Sequence, residues 1–166
     1  MTRAEAPPAP PVQTTVCAAP TEVAFSCKLR SGAELTLCAA PHGEQAYMAL
    51  LPVGVSDVTA AHAYPSDPTT YRQSFYMEGS NAKSRSTRVQ GPKGVFAIVK
   101  ADKKGAYQLS LVRGRTPQDW RLPNADLRTG CKSVEAAPWM AEFVEQLPGK
   151  GKRNAGQGPA SKRSMN

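Results

Sequence analysis

The first regular alternation in the chain runs from Val23 to Ala40. Val23, Phe25, Cys27 and Leu29 alternate with Ala24, Ser26, Lys28 and Arg30, the period-two pattern of a half-buried strand. Leu35, Leu37 and Ala39 then alternate with Glu34, Thr36, Cys38 and Ala40. A three-residue loop at Arg30-Ser31-Gly32, with Gly32 in the left-handed region, sets Leu29 opposite Ala33, Cys27 opposite Leu35 and Phe25 opposite Leu37. Both apolar rows then share one side of the sheet. A slip of one residue would turn a whole row to the other face, so this register is strongly specified.

A second hairpin is predicted from Val95–Ala101 and Ala106–Val112, which flank Asp102-Lys103-Lys104-Gly105. Asp at the first position and Gly at the fourth suit a type I turn. The turn pairs Val99 with Leu109, Ala97 with Leu111, Phe96 with Val112 and Ile98 with Ser110. Apolar residues on both faces place this hairpin in the centre of its sheet. Ala46–Leu51 and Arg72–Met77 read as shorter strands. Ser84–Gln90 carries alternating arginines and reads as an edge or exposed strand. Within Val53–Ala63, Asp57 can cap a helical turn through Thr59–His62. Tyr64–Tyr71 is a loop, and Leu122–Cys131 offers a last strand.

One helix is predicted near the end. Ser133 can cap it, and Glu135, Ala136 and Ala137 open its first turn ahead of Pro138. Trp139, Met140, Phe143, Val144 and Leu147 form one apolar face, and Pro148-Gly149 stops it. The fold class is therefore mainly β: a small antiparallel barrel or sandwich with one C-terminal helix packed on it.

Composition limits the folded part. The chain has 166 residues, of which 40% are apolar and 7% aromatic, enough for one small core. Residues 1–11 hold four prolines and form a disordered leader; residues 148–166 form a disordered basic tail. A single β-rich domain over 12–147 remains. Of the formal charge of +8, the tail's Lys150, Lys152, Arg153, Lys162 and Arg163 supply +5 against no acid, and Arg3 and Glu5 of the leader cancel. That leaves 8 − 5 = +3 for the domain, so the basic character belongs to the tail.

Cys17, Cys27, Cys38 and Cys131 are even in number and set in β structure, which points to structural disulfides and an oxidising compartment. Cys27 faces the core, whereas Cys38 has the opposite parity. Parity weakly prefers Cys27–Cys131 with Cys17–Cys38, and leaves Cys27–Cys38 with Cys17–Cys131 as the alternative. No run approaches the ~20 apolar residues of a membrane-spanning helix. No apolar run near the N-terminus can act as a signal-peptide core, which conflicts with export; the Pro/Ala-rich leader is expected to be the spacer that follows a cleaved signal, the alternative being a cytosolic chain with reduced thiols. The protein is expected to be periplasmic or secreted.

Candidate chemistry is sparse. No Cys-x-x-Cys pair is present, which argues against zinc and thiol exchange, and neither a metal nor a cofactor is expected. Ser56, Asp57 and His62 lack the strained elbow of a nucleophilic serine, so a non-enzymatic role is expected. Lys83, Arg85, Arg88 and Lys93, with Tyr71 and Tyr76 upstream, form a candidate binding patch of basic groups and aromatics.

The segment PTEVAFSCKLRSGAELTLCAAP resembles a motif of small exported bacterial proteins, a Phe-Ser-Cys strand, a Gly turn and a strand ending in Cys. GVFAIVKADKKGAYQLSLV and the Leu127-to-Cys131 stretch resemble the rest of that pattern. The chain departs from it at Gly32-Ala33, where the group has Gly-Lys, and keeps the following aromatic strand only as Ala46-Tyr47-Met48. The resemblance implies a periplasmic or secreted β protein. A more distant likeness is to the C-type lysozyme inhibitors, small disulfide-held barrels. Their Ser-Gly-x-x-Tyr loop has no counterpart in Glu78-Gly79-Ser80-Asn81, and no inhibitory residue carries over. The expected function is a monomeric binding module at the cell envelope, its partner an envelope protein or a polyanion. Inhibition of a hydrolase such as lysozyme and polyanion or nucleic-acid binding through the tail are the alternatives, nucleic acid being the less favoured polyanion.

Overall fold

β1 (Glu22–Leu29) and β2 (Glu34–Ala39) form the first hairpin, with Cys27 opposite Leu35 and Phe25 opposite Leu37. Gly32 has φ 101°, and the Leu29 N–H donates to Ala33 O at 2.8 Å, which closes the three-residue loop. A bulge between Val23 and Phe25 sets Val23 opposite Cys38. The structure is a computed structural model and describes residues 13–79, 85–101, 106–123, 126–127 and 130–149. The leader expected over 1–11, the turn at 102–105 and the tail beyond Gly149 lie outside the described residues.

Two antiparallel sheets face each other. The first also contains β3 (Ala46–Leu51), β4 (His62–Tyr64) and β9 (Cys131–Ala136), in the order β4-β3-β2-β1-β9. The second contains β5 (Phe75–Glu78), β6 (Ser86–Gly91), β7 (Gly94–Ala101) and β8 (Tyr107–Leu111), in the order β5-β6-β7-β8. Among the described residues their edges do not join in a ladder, so the fold is a sandwich and not a closed barrel. The helix α1 (Met140–Glu145) packs onto it. Phe25, Leu35, Leu37, Met48 and Leu50 of the first sheet share one buried cluster with Val89, Ala97 and Val99 of the second, and with Met140, Phe143 and Val144 of α1. Phe96 lies edge-on to Tyr64 at 5.4 Å and to Trp120 at 5.2 Å, which ties the two sheets to the loop after β8.

Several expectations are corrected. Ser84–Gln90 was expected at an edge or exposed, but β6 lies between β5 and β7. Thr87 and Val89 on its inner face are buried, and their burial outweighs the arginines at neighbouring positions. The second hairpin has the expected register, Ala97 opposite Leu111 and Val99 opposite Leu109, but only β7 is central. β8 is an edge. The helix does not begin at Ser133. Residues 133–136 belong to β9, because the open edge of β1 accepts them as a strand, and Pro138 disfavours a helical backbone at Ala137.

The predicted strand over Leu122–Cys131 is replaced by a helical turn at Asp126–Leu127, with the Asp126 N–H donating to Pro123 O at 3.0 Å. The strand begins only at Cys131. The Arg72–Met77 strand is shortened at its start: Arg72 and Gln73 close a 3-10 turn over Pro68–Gln73, capped by Asp67. Asp57 caps a 3-10 turn over Val58–Ala60, accepting from the Thr59 N–H at 3.0 Å.

Opposite parity at Cys38 has a structural consequence. Cys27 lies in the central core, whereas Cys38 lies in a second cluster with Val16, Cys17, Tyr47 and Ala49. That cluster covers the outer face of the first sheet. The Tyr47 hydroxyl anchors the N-terminal segment there, donating to Val16 O at 3.1 Å and accepting from the Ala18 N–H at 2.7 Å.

Candidate functional site

Register alone arranges three rows across the inner face of the second sheet. Val89, Ala97 and Leu111 form one row; Thr87, Val99 and Leu109 form the next. The third is Arg85, Ala101 and Tyr107, with Ala101 opposite Tyr107 and the Ala101 N–H donating to Arg85 O at 3.5 Å. The first two rows are buried. The third is not fully covered, because α1 crosses above it without closing onto it.

A cavity of about 160 Å³ results between sheet and helix. Thr87, Val99, Ala101 and Tyr107 form its floor and wall, and Ala141 and Val144 of α1 form its roof. Arg85, just before β6, and Glu145 of α1 close one side as an ion pair. Thr87 is 1% exposed, and its Oγ1 has no hydrogen-bond partner among the described residues. The ring of Tyr107 stands edge-on to Phe25 at 6.1 Å. Burial, and then the negative charge of Glu142, push the Tyr107 hydroxyl above the ordinary phenol pKa, so it is a protonated donor at neutral pH.

Tyr107 also borders a shallower depression of about 420 Å³, walled by Val134, Ala136, Ala137 and Pro138. This is the gap where β8 and β9 part. Gly130, just before β9, has φ 71°, and a Cβ there would stand 3.2 Å from Leu109 O of β8. Glycine is required there both by its conformation and by that approach.

The candidate basic and aromatic patch is not assembled. Tyr71 and Tyr76 are buried, and the Tyr71 hydroxyl donates to Gly43 O at 2.5 Å. Burial raises the pKa of Tyr71 against the pull of Arg72, whose guanidinium lies 5.2 Å from the ring centroid. Arg85, just before β6, and Arg88 within it differ in parity and fall on opposite faces of the sheet. Arg85 pairs with Glu145, and the Nε of Arg88 lies 2.5 Å from Glu78 Oε1. Lys93 is exposed in the turn between β6 and β7, and Lys83 lies outside the described residues. Adjacency in sequence thus became dispersal across a strand.

The cysteines are joined as Cys17–Cys38 and Cys27–Cys131, each with Cα atoms 5.3 Å apart. The first holds the N-terminal segment to β2; the second ties β1 to β9 from the core side. Ser56, Asp57 and His62 do not form a triad. Asp57 is engaged by Thr59, and His62 Nδ1 lies 3.3 Å from Asp119 Oδ2.

A third concavity, of about 530 Å³, opens at the turn end of the first hairpin and is lined by Arg30, Gly130, Cys131 and Lys132. The hairpin turn beside Arg30 is held by Asp126, which is fully buried and accepts from the Ser31 N–H at 2.8 Å and the Ser31 hydroxyl at 2.5 Å. Sequence reasoning did not single out Thr87, Tyr107, Ala141 or Val144 as site residues. One signal was present: Thr87 shares parity with Val89, so a polar group falls on an apolar face. Comparison with protein-family models, with curated proteins and with solved structures finds no match.

Proposed function

We propose that this chain is an exported, disulfide-held binding domain of the cell envelope that takes its ligand between the second sheet and α1. The two disulfides support the compartment, since such bridges persist in oxidising surroundings. One observation carries the binding reading: a largely apolar cleft of about 160 Å³ under a short helix, bordered by Tyr107 and by the Arg85–Glu145 ion pair. Ligand pockets combine apolar walls with a few placed polar groups in this way. The polar groups here are a protonated phenol and an ion pair closed on itself, a set suited to holding a ligand and not to transforming one.

The test is a nuclear magnetic resonance titration of the full chain with small apolar probes such as toluene. Shifts confined to Tyr107, Ala141 and Val144, abolished by Ala141→Phe, are expected. Probes that bind nowhere, or that bind Ala141→Phe equally well, refute the reading.

A polyanion reading is supported by a separate observation, the Arg30 and Lys132 pair on the 530 Å³ concavity, with exposed Lys28 on the adjoining strand. It predicts retention on heparin that falls with salt. Loss of retention on removing residues 150–166, with none on Arg30→Ala/Lys132→Ala, assigns the contact to the tail instead.

A further inference from the structure

The two sheets end in four edge strands, and three of these are short or covered. β4 has only three residues. In β5 the Met77 N–H donates to Pro148 O at 2.8 Å. β8 is covered at Leu109, which is 3% exposed and whose carbonyl lies against Gly130. β9 differs: it runs for six residues, none of them buried, and among the described residues it pairs only with β1. An open edge of this kind is a template for another strand.

The ladder shows which backbone groups β9 leaves over. The Ala137 N–H donates to Ala24 O at 2.9 Å, so Ala24 and Ala137 form a hydrogen-bonded pair. Alternation makes Ser26–Glu135 and Lys28–Ser133 the next two such pairs. The intervening Val134 and Ala136 therefore aim their N–H and C=O away from β1, toward the depression of about 420 Å³ between β9 and β8. Ala136 is exposed and Val134 half-buried, so a neighbour can reach them. Donors and acceptors at that repeat are matched by another extended backbone.

Side chains set the chemistry of the strand that fits. Antiparallel residues opposite Val134 and Ala136 turn inward, where Tyr107 and Ala141 wall the depression, so apolar side chains suit both positions. The residue between them stands beside Glu135 on the outer face. Glu135 is exposed and faces Ser26 across β1, whereas Lys28 in the next row faces Glu34. A lysine or arginine on the open side of β9 gives Glu135 the opposite charge that its own row lacks. A second copy of the chain would bring its β8 and α1 along with its β9; a lone strand brings nothing else into the gap.

We infer that β9 receives an extended peptide from a partner protein, paired antiparallel, with an apolar-basic-apolar sequence against Ala136, Glu135 and Val134. This edge is a site beyond the cleft under α1, with which it shares the side chains of Tyr107 and Ala141.

The probes are acetyl-Thr-Val-Lys-Val-Thr-amide, the same peptide with glutamate for lysine, and the lysine peptide methylated at both valine nitrogens, each titrated into the full chain by nuclear magnetic resonance. The lysine peptide should bind about fivefold or more tightly than the glutamate peptide, and Glu135→Lys should reverse that order. Methylation should abolish binding. Ala136→Pro removes one outward N–H and leaves the β1 ladder intact, so it should weaken the lysine peptide about fivefold. Hydrogen exchange needs no variant: the Val134 and Ala136 amides should exchange faster than that of Glu135 in the free chain and slow when the lysine peptide is added. No binding at millimolar peptide, equal binding of the methylated peptide, or shifts confined to Val99 and Val144 overturns the inference. A dimer of the peptide-free chain that Ala136→Pro dissociates also overturns it, in favour of a second copy. Toluene binding under α1 is a separate measurement, so the cleft reading stands or falls on its own.

Discussion

Removing the two disulfides one at a time should destabilise the fold unequally, and the difference can be worked from topology. Cys27–Cys131 closes 104 residues of sequence and Cys17–Cys38 closes 21. In the chain-entropy account, a loop of about 100 residues corresponds to about 5 kcal/mol and one of about 20 residues to about 3 kcal/mol. Position in the fold acts in the same direction. Cys27–Cys131 joins a central strand to β9, which leads directly into α1, whereas Cys17–Cys38 anchors a terminal segment over the outer cluster.

The perturbation is paired replacement, Cys27→Ala/Cys131→Ala against Cys17→Ala/Cys38→Ala, which avoids leaving free thiols. Urea unfolding followed by tryptophan fluorescence reads the result. With m of roughly 2 kcal/mol/M, the midpoints should fall by about 2.5 M and about 1.5 M respectively. If the short-loop pair proves the more costly, or if neither shifts the midpoint, the argument from loop length is refuted.

Three further predictions follow from buried polar groups. Thr87→Val in the ligand-free protein should raise stability by about 1 kcal/mol, because it replaces an unpartnered buried hydroxyl with a methyl; a lower urea midpoint would count against this. Asp126→Ala should cost about 2–4 kcal/mol, since it strands the Ser31 N–H and hydroxyl at the hairpin turn, while Asp126→Asn should cost clearly less. Equal losses from the two would show that the acceptor is not what matters. The phenol of Tyr107 has a raised pKa in the folded state, so the unfolded chain loses its proton first and stability falls as pH rises above about 10. Tyr107→Phe should flatten that fall in urea midpoints measured from pH 8 to 11, and an unchanged slope would sink the assignment.

Local alternation made much of the fold legible. The register of β1 with β2, and of β7 with β8, follows from which residues can share a buried face, and the loop at Gly32 fixes the offset of the first hairpin. Where the chain had two local options, the sequence misled. Ser133–Ala136 can cap and open a helix or extend as a strand, and only the vacant edge of β1 decides for the strand. Ser86–Gly91 shows its arginines to a reader of the sequence and hides its two neighbours in space. The candidate patch failed for the same reason: parity sends Arg85 and Arg88 to opposite faces, and burial takes the tyrosines.

By itself the sequence determined a β-rich chain with one late helix, four cysteines of mixed parity and a register that puts Cys27 inside. These depend on neighbours two residues apart, and such contacts are written locally. The tertiary structure decided which edges meet, which bridges join them and where a cavity remains. The site under α1 draws on residues from 85 to 145, brought together by two sheets and a helix. No local pattern encodes the gap between them, because it is set by how far the helix stands off the sheet.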